Sequence, residues 1–152
     1  MQLPRSQVSK IFITGNESPS VGFVPAGGDE RASYSWLTLD HARLRDRHAK
    51  LGLLEKHPIT SPEGYLDALG TSPASDDAPL QLARKAERIH RAKSFTKTTK
   101  GGLAVYFVDA AEPGDRRLYF AIRGDDSLYV LAGALPRTFV NALLSSLRVK
   151  DP

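Results

Sequence analysis

Cysteine is absent from the 152 residues, which excludes disulfides, thiolate zinc sites, iron–sulfur clusters and cysteine nucleophiles. No apolar run approaches the roughly 20 residues of a membrane-spanning helix. The first residues, Met1-Gln2-Leu3-Pro4-Arg5, lack the apolar core of a secretory signal. The expected compartment is therefore the cytoplasm, or the periplasm if an export signal has been removed. Hydrophobic residues still make up 41% of the chain, enough to bury a core over the length of one domain. A single globular domain over 1–152 is expected, with residues 1–7 and 71–79 flexible.

Charge is present but uneven. The formal net charge is +4, yet the segment 84–100 alone carries +6, from Arg84, Lys85, Arg88, Arg91, Lys93, Lys97 and Lys100 against Glu87. Everything else sums to −2, so the basicity is local and points to one surface rather than to a bulk property.

The first forty residues pattern as three short strands, at 8–13, 21–24 and 33–39, separated by Gly15-Asn16 and by Pro25-Ala26-Gly27-Gly28-Asp29. Asp40 caps a predicted helix to Lys50, with Leu44, His48 and Leu51 on its packed stripe, an Asp46–Lys50 pair on its surface and Gly52 as terminator. Ser61-Pro62-Glu63 is a strong helix start, and Gly70 is the expected left-handed stop for a helix buried through Tyr65, Leu66 and Leu69. A further helix is predicted over 80–93, packing through Leu82, Ala86 and Ile89.

From Ser94 the period changes to two: strands at 94–99, 103–109, 117–123 and 127–133 form a β-meander. A last helix at 136–147 follows, apolar through Phe139, Val140, Leu143, Leu144 and Leu147. If Arg123 and Ser127 flank the last turn, Ile122 pairs with Leu128 and Phe120 with Val130. Leu118, Phe120, Ile122, Leu128, Val130 and Ala132 then share one face. Tyr119, Ala121, Tyr129 and Leu131 take the other, which helices cover or a partner meets. The fold class expected is α+β: an antiparallel sheet packed by helices as an α/β sandwich.

Among motifs that carry chemistry, Gly27-Gly28-Asp29-Glu30 matches the nucleotide-binding tetrapeptide of diguanylate cyclases, but Arg31 follows it and the upstream elements of that family have no room; it reads as a turn. Ser94-Phe95-Thr96-Lys97 fits the Ser-x-x-Lys pattern of serine acyl enzymes, but it sits at a strand and lacks the partner motifs. His41, His48, His57 and His90 have no metal-ligand spacing, and Asp109, Glu112, Asp115, Asp125 and Asp126 fall at meander turns, where acids shape turns and solubility. No metal and no cofactor are expected.

The runs Gly102-Leu103-Ala104-Val105-Tyr106-Phe107-Val108, Leu118-Tyr119-Phe120-Ala121-Ile122 and Leu128-Tyr129-Val130-Leu131, with the closing Phe139-Val140-Asn141-Ala142-Leu143-Leu144-Ser145-Ser146-Leu147-Arg148-Val149, resemble the end of PsbP-like and DcrB-like domains. The resemblance covers the last third. It implies an α/β sandwich on an antiparallel sheet, and a protein that is exported or secretion-associated, binds other proteins and catalyses nothing.

The leading functional expectation is a non-enzymatic protein-binding domain, such as a bacterial immunity protein that neutralises a cognate toxin, or a secretion adaptor. Its expected contact residues are Arg84, Lys85, Arg88, Arg91 and Lys93 on the basic segment and Tyr106, Tyr119 and Tyr129 on the sheet, since Arg and Tyr anchor interfaces. The alternatives are nucleic-acid binding through 84–100, and a small hydrolase using His48 or His57 with a carboxylate.

Overall fold

In the computed structural model, which describes residues 8–14, 20–28 and 33–147, β-branched and aromatic runs form seven strands in one antiparallel sheet. The strands are β1 (Val8–Thr14), β2 (Ser20–Pro25), β3 (Tyr34–Leu39), β4 (Ala92–Lys100), β5 (Leu103–Ala110), β6 (Arg116–Ile122) and β7 (Leu128–Gly133). Their spatial order is β1-β2-β3-β7-β6-β5-β4, so the N-terminal strands and the C-terminal meander meet at the β3–β7 pair, and β1 and β4 are the two edges. The fold is α+β. The Gly15-Asn16 turn, Asp29, Glu30 and residues 1–7 lie outside the described residues.

Helices α1 (His41–Lys50), α2 (Leu53–Lys56), α3 (Pro62–Gly70) and α4 (Ala78–Ala86) cover one sheet face, and α5 (Arg137–Ser146) packs on the other. Local chemistry places them. Asp40 accepts the Arg43 N–H at 2.9 Å to start α1, and Gly52, with φ 69°, lets the chain leave it. Ser61 Oγ accepts the Gly64 N–H at 3.0 Å, with Pro62 in the first turn of α3. Asp77 accepts the Leu80 N–H at 3.2 Å to start α4, so the connection 71–79 ends in a cap.

Three expectations need correction. Gly70 is not a left-handed stop: α3 runs through it and ends at Thr71 (φ −78°, ψ 150°), while a Cβ on Gly70 would lie 3.4 Å from the Phe95 ring. The glycine makes room for Phe95. Helix α4 ends at Ala86 rather than Lys93, because Arg88 takes the left-handed conformation (φ 64°) and a short 3-10 turn, Ile89–Arg91, leads into β4. Its buried line is Leu80, Ala83 and Glu87, and Leu82 is half exposed.

The third concerns register. Ala121 pairs with Leu128, Phe120 with Tyr129 and Tyr119 with Val130, one residue off the expected pairing. Such a slip exchanges faces along a whole strand. The sides of β6 stand as expected and those of β7 swap: Tyr119, Leu128 and Val130 face α1–α4, whereas Leu118, Phe120, Tyr129 and Leu131 face α5. The turn accounts for it: Asp125 accepts the Ser127 N–H at 2.8 Å and the Tyr129 hydroxyl at 2.7 Å, so Ile122 ends β6 paired only with Leu103, and Arg123 starts the turn.

Gly133 closes β7 at a point where it pairs with both Tyr34 and Arg116. Its φ is 130°, and a Cβ there would stand 2.4 Å from Ser33 O and 2.7 Å from Tyr34 Cα. Both obstacles are backbone and cannot move aside cheaply. Gly133→Ala is therefore expected to cost about 2–3 kcal/mol in urea unfolding; a loss under about 0.5 kcal/mol would contradict the close approach of β3 and β7.

Candidate functional site

Two surfaces and one buried cluster bring together the chemistry-bearing residues. The buried cluster fixes the other two. Glu87, at the end of α4, is 2% exposed, and its carboxylate receives donors from three elements. Arg47 of α1 reaches Oε1 at 2.7 Å, Tyr65 of α3 donates to Oε1 at 2.9 Å, and Arg117 and Tyr119 of β6 reach Oε2. Burial, and then the Glu87 charge, push the Tyr65 and Tyr119 phenols well above their ordinary pKa, so both stay protonated donors. A second buried acid, Asp109 on β5, is ion-paired with Arg116 and with Arg137 at the start of α5. The expectation that Asp109 shapes a turn is corrected: it is 1% exposed and ties α5 to the sheet.

The basic segment divides into cations the fold uses and cations it leaves outside. Arg84 lies along α4 and donates to the carbonyls of Leu69 and Thr71, satisfying the end of α3. Lys97 sits 2.8 Å from Asp67 and 3.0 Å from Glu63, with its ammonium 5.2 Å from the centre of the Tyr106 ring. Lys85, Arg88, Arg91 and Lys93, with His90 among them, are exposed on the knuckle from the end of α4 to the start of β4. Arg88 has a loose 3.9 Å pair with Asp115; among the described residues no carboxylate lies within 4 Å of Lys85, Arg91 or Lys93.

Of the three tyrosines expected at a contact surface, Tyr106 and Tyr119 lie 1% exposed under the helices. Tyr106 donates to Asp67 at 2.7 Å and Tyr119 to Glu87. Burial removes both from any surface. Tyr129 is half-buried on the α5 face beside Trp36, with its hydroxyl on Asp125. Phe95, the one aromatic of the basic segment, stacks on Tyr106 with ring centres 5.7 Å apart. Ser94 and Lys97 pair with Asp109 and Tyr106 and so stand on opposite faces of β4, which removes the Ser-x-x-Lys reading.

A cleft of about 450 Å³ opens beside α1 and the start of α3. His41, Arg45, His48, His57, Ser61 and Asp126 are in its wall, so three of the four histidines meet there, two from α1 and His57 from the end of α2. His57 Nε2 lies 2.9 Å from Asp77 Oδ2, and His41 lies 3.9 Å from Asp126. His48 is 3% exposed and packs on Tyr65 with ring centres 4.3 Å apart and planes tilted by 39°, and its Nε2 has no hydrogen-bond partner. Burial, and then the Arg47 charge, lower its pKa to about 4. A histidine–carboxylate pair at a cleft is what the hydrolase alternative requires. Among the described residues, however, no serine or threonine hydroxyl is hydrogen-bonded to His57, and Ser61 Oγ is engaged with the Gly64 N–H. Among the described residues no group of three or more acids and histidines is placed to hold a metal, and no helix is long and apolar enough to cross a membrane.

Sequence spacing was blind to both this cleft and the Glu87 cluster. The cleft is assembled by the α1–α3 path, and nothing local marks Glu87 except its position one turn beyond Ala83 on the buried line of α4. Comparison of the chain with protein-family models, curated proteins and solved structures finds no match, so the resemblance of the last third to PsbP-like and DcrB-like domains rests on its residue pattern alone.

Proposed function

We propose that this chain is a non-enzymatic protein-binding domain that docks an acidic face of a partner protein on the knuckle formed by Lys85, Arg88, Arg91 and Lys93, as an inhibitor of a toxin or a secretion adaptor would. One observation carries the reading. Arg88 is the sole non-glycine residue with positive φ among the described residues, and it stands between Lys85, Arg91 and Lys93, which no described carboxylate reaches. A left-handed arginine costs about 1 kcal/mol that glycine would not. An arginine at this left-handed position, half-exposed and with only a loose pair to Asp115, costs stability that glycine would not, which suits a contact residue better than a structural one. Charge complementarity then selects an acidic partner and speeds encounter with it.

Nucleic acid fits less well. Single-strand binding uses aromatic platforms for the bases, and Phe95 is spent on Tyr106.

The test separates the two. Arg88→Gly is expected to raise unfolding stability by about 1 kcal/mol while weakening binding to an oligoglutamate peptide at low salt. Arg88→Glu combined with Arg91→Glu should weaken it by about tenfold or more with the melting temperature unchanged. Unaltered peptide binding in both variants, or tighter binding to duplex DNA than to the peptide, would overturn the proposal.

A further inference from the structure

Helix α1 turns one face to the cleft of about 450 Å³. His41, Leu44, Arg45 and His48 fall at i, i+3, i+4 and i+7, so they stand in one stripe along its wall. Burial grades the wall. Leu44, His48 and Pro62 are buried and form its floor, whereas His41, Arg45, Leu54 and Asp126 are exposed at its rim.

Charge in this wall is scarce. Arg45 and Asp126 are its only arginine and its only acid, and Asp126 has His41 at 3.9 Å. The other cations of α1 are matched: Arg43 lies near Asp40, Arg47 reaches Glu87 and Lys50 reaches Asp46. Among the described residues no carboxylate lies within 4 Å of Arg45. A second polar group is also unmatched, because Nε2 of His48 is buried without a hydrogen-bond partner, and buried polar atoms ordinarily have one. Much of the remaining wall is apolar, through Leu44, Leu54, Ile59 and Pro62.

We infer that the cleft binds a small organic carboxylate, its acid group on the Arg45 guanidinium and its apolar body against Leu44, Leu54 and Ile59. The volume lies in the range of small-molecule sites, which are mostly apolar with a few polar groups that fix orientation. A planar guanidinium matches the two oxygens of a carboxylate. Phosphate esters fit less well: their second negative charge would meet no second fixed cation, and Asp126 stands in the same wall. The inference goes beyond the basic knuckle and is independent of it, since none of Lys85, Arg88, Arg91 and Lys93 lines the cleft.

The full chain, labelled with nitrogen-15, should be titrated with phenylacetate and with isovalerate at constant ionic strength. Saturable amide shifts are expected over residues 41–48 and 54–62, with Kd on the order of 1 mM for so small a ligand. Phenylacetamide, which keeps the shape and lacks the charge, should bind about tenfold more weakly, and phenyl phosphate no more tightly than phenylacetate. Arg45→Gln should weaken phenylacetate binding by about tenfold and leave phenylacetamide unaffected, whereas Leu54→Asn should weaken both. Both positions are exposed, so the melting temperatures should match the wild type. Absence of saturable shifts with either acid up to about 20 mM, well above that constant, would overturn the inference. So would shifts confined to other segments, wild-type affinity in Arg45→Gln, equal affinity for phenylacetamide, or tighter binding of phenyl phosphate.

Discussion

Glu87→Ala is expected to lower the unfolding free energy by about 3–5 kcal/mol, measured by urea denaturation at neutral pH. The carboxylate is 2% exposed and is the shared acceptor for Arg47, Tyr65, Arg117 and Tyr119. Deleting it strands two guanidinium groups and two phenol hydroxyls. The arginines are partly exposed, at 35% and 24%, and can recover water. The tyrosines, at 0% and 1%, cannot. Breaking one side of a buried pair leaves the other side uncompensated, which is why the loss exceeds the net worth of the interactions. Glu87→Gln, which keeps the shape and half the acceptors, should cost about 2 kcal/mol, and Tyr119→Phe about 1–2 kcal/mol. The double variant Glu87→Ala, Tyr119→Phe should cost less than the sum of the two, because the hydroxyl has nothing left to bind. A loss below about 1 kcal/mol for Glu87→Ala would mean that the desolvation of the carboxylate cancels its bonds. The cluster also joins α1, α3 and α4 to β6 and ends α4 immediately before Arg88. Weakening it should loosen the basic knuckle, so the same variant is expected to bind oligoglutamate less well than wild type.

What the sequence revealed and what it concealed divide along the range of the interactions. Capping chemistry at Asp40, Ser61 and Pro62 acts within one turn, and the helices start where those residues say. The α+β class and the meander followed from period-two alternation, and β4 to β7 lie within one or two residues of their expected limits. Where a distant residue decides, local reading failed. Helix α4 stops early because Glu87 is drawn inward by partners on α1, α3 and β6. Gly70 is small for the sake of Phe95, some 25 positions on. The faces of β7 swapped because Asp125 binds both the Ser127 N–H and the Tyr129 hydroxyl, a two-bond turn that composition could not specify. The candidate surface shows the same division. Its charge was legible as seven bases against one acid, but Arg84 and Lys97 proved to be partners of the fold. Tyr106 and Tyr119 looked like interface anchors until helices covered them.

Acid is expected to unfold this protein earlier than its carboxylates alone would require, through His48. The imidazole is 3% exposed between α1 and α3, packed against the Tyr65 ring, with Nε2 unpartnered. Burial and Arg47 lower its pKa to about 4 in the folded chain, against the Glu87 charge, which acts the other way, and an unfolded value near 6.5. Between those values the unfolded chain binds a proton that the folded chain refuses, so stability rises with pH through the window. The contribution is fully present above about pH 6.5 and is lost as pH falls towards 4, amounting to about 3 kcal/mol there. His41, Arg45, His57 and Asp126 line the same cleft. The comparison that isolates His48 is His48→Phe, which keeps a ring on Tyr65 and removes both the proton site and the unpartnered nitrogen. At pH 7 the variant should match or slightly exceed the wild type. At pH 4.5 it should exceed it by about 2–3 kcal/mol, and the difference between the two stability curves should have a slope of about 1.4 kcal/mol per pH unit between pH 6 and 4.5. Curves that run parallel across that window would show that the imidazole titrates equally in both states, and that water and charge reach it through the packing of Tyr65 between α1 and α3.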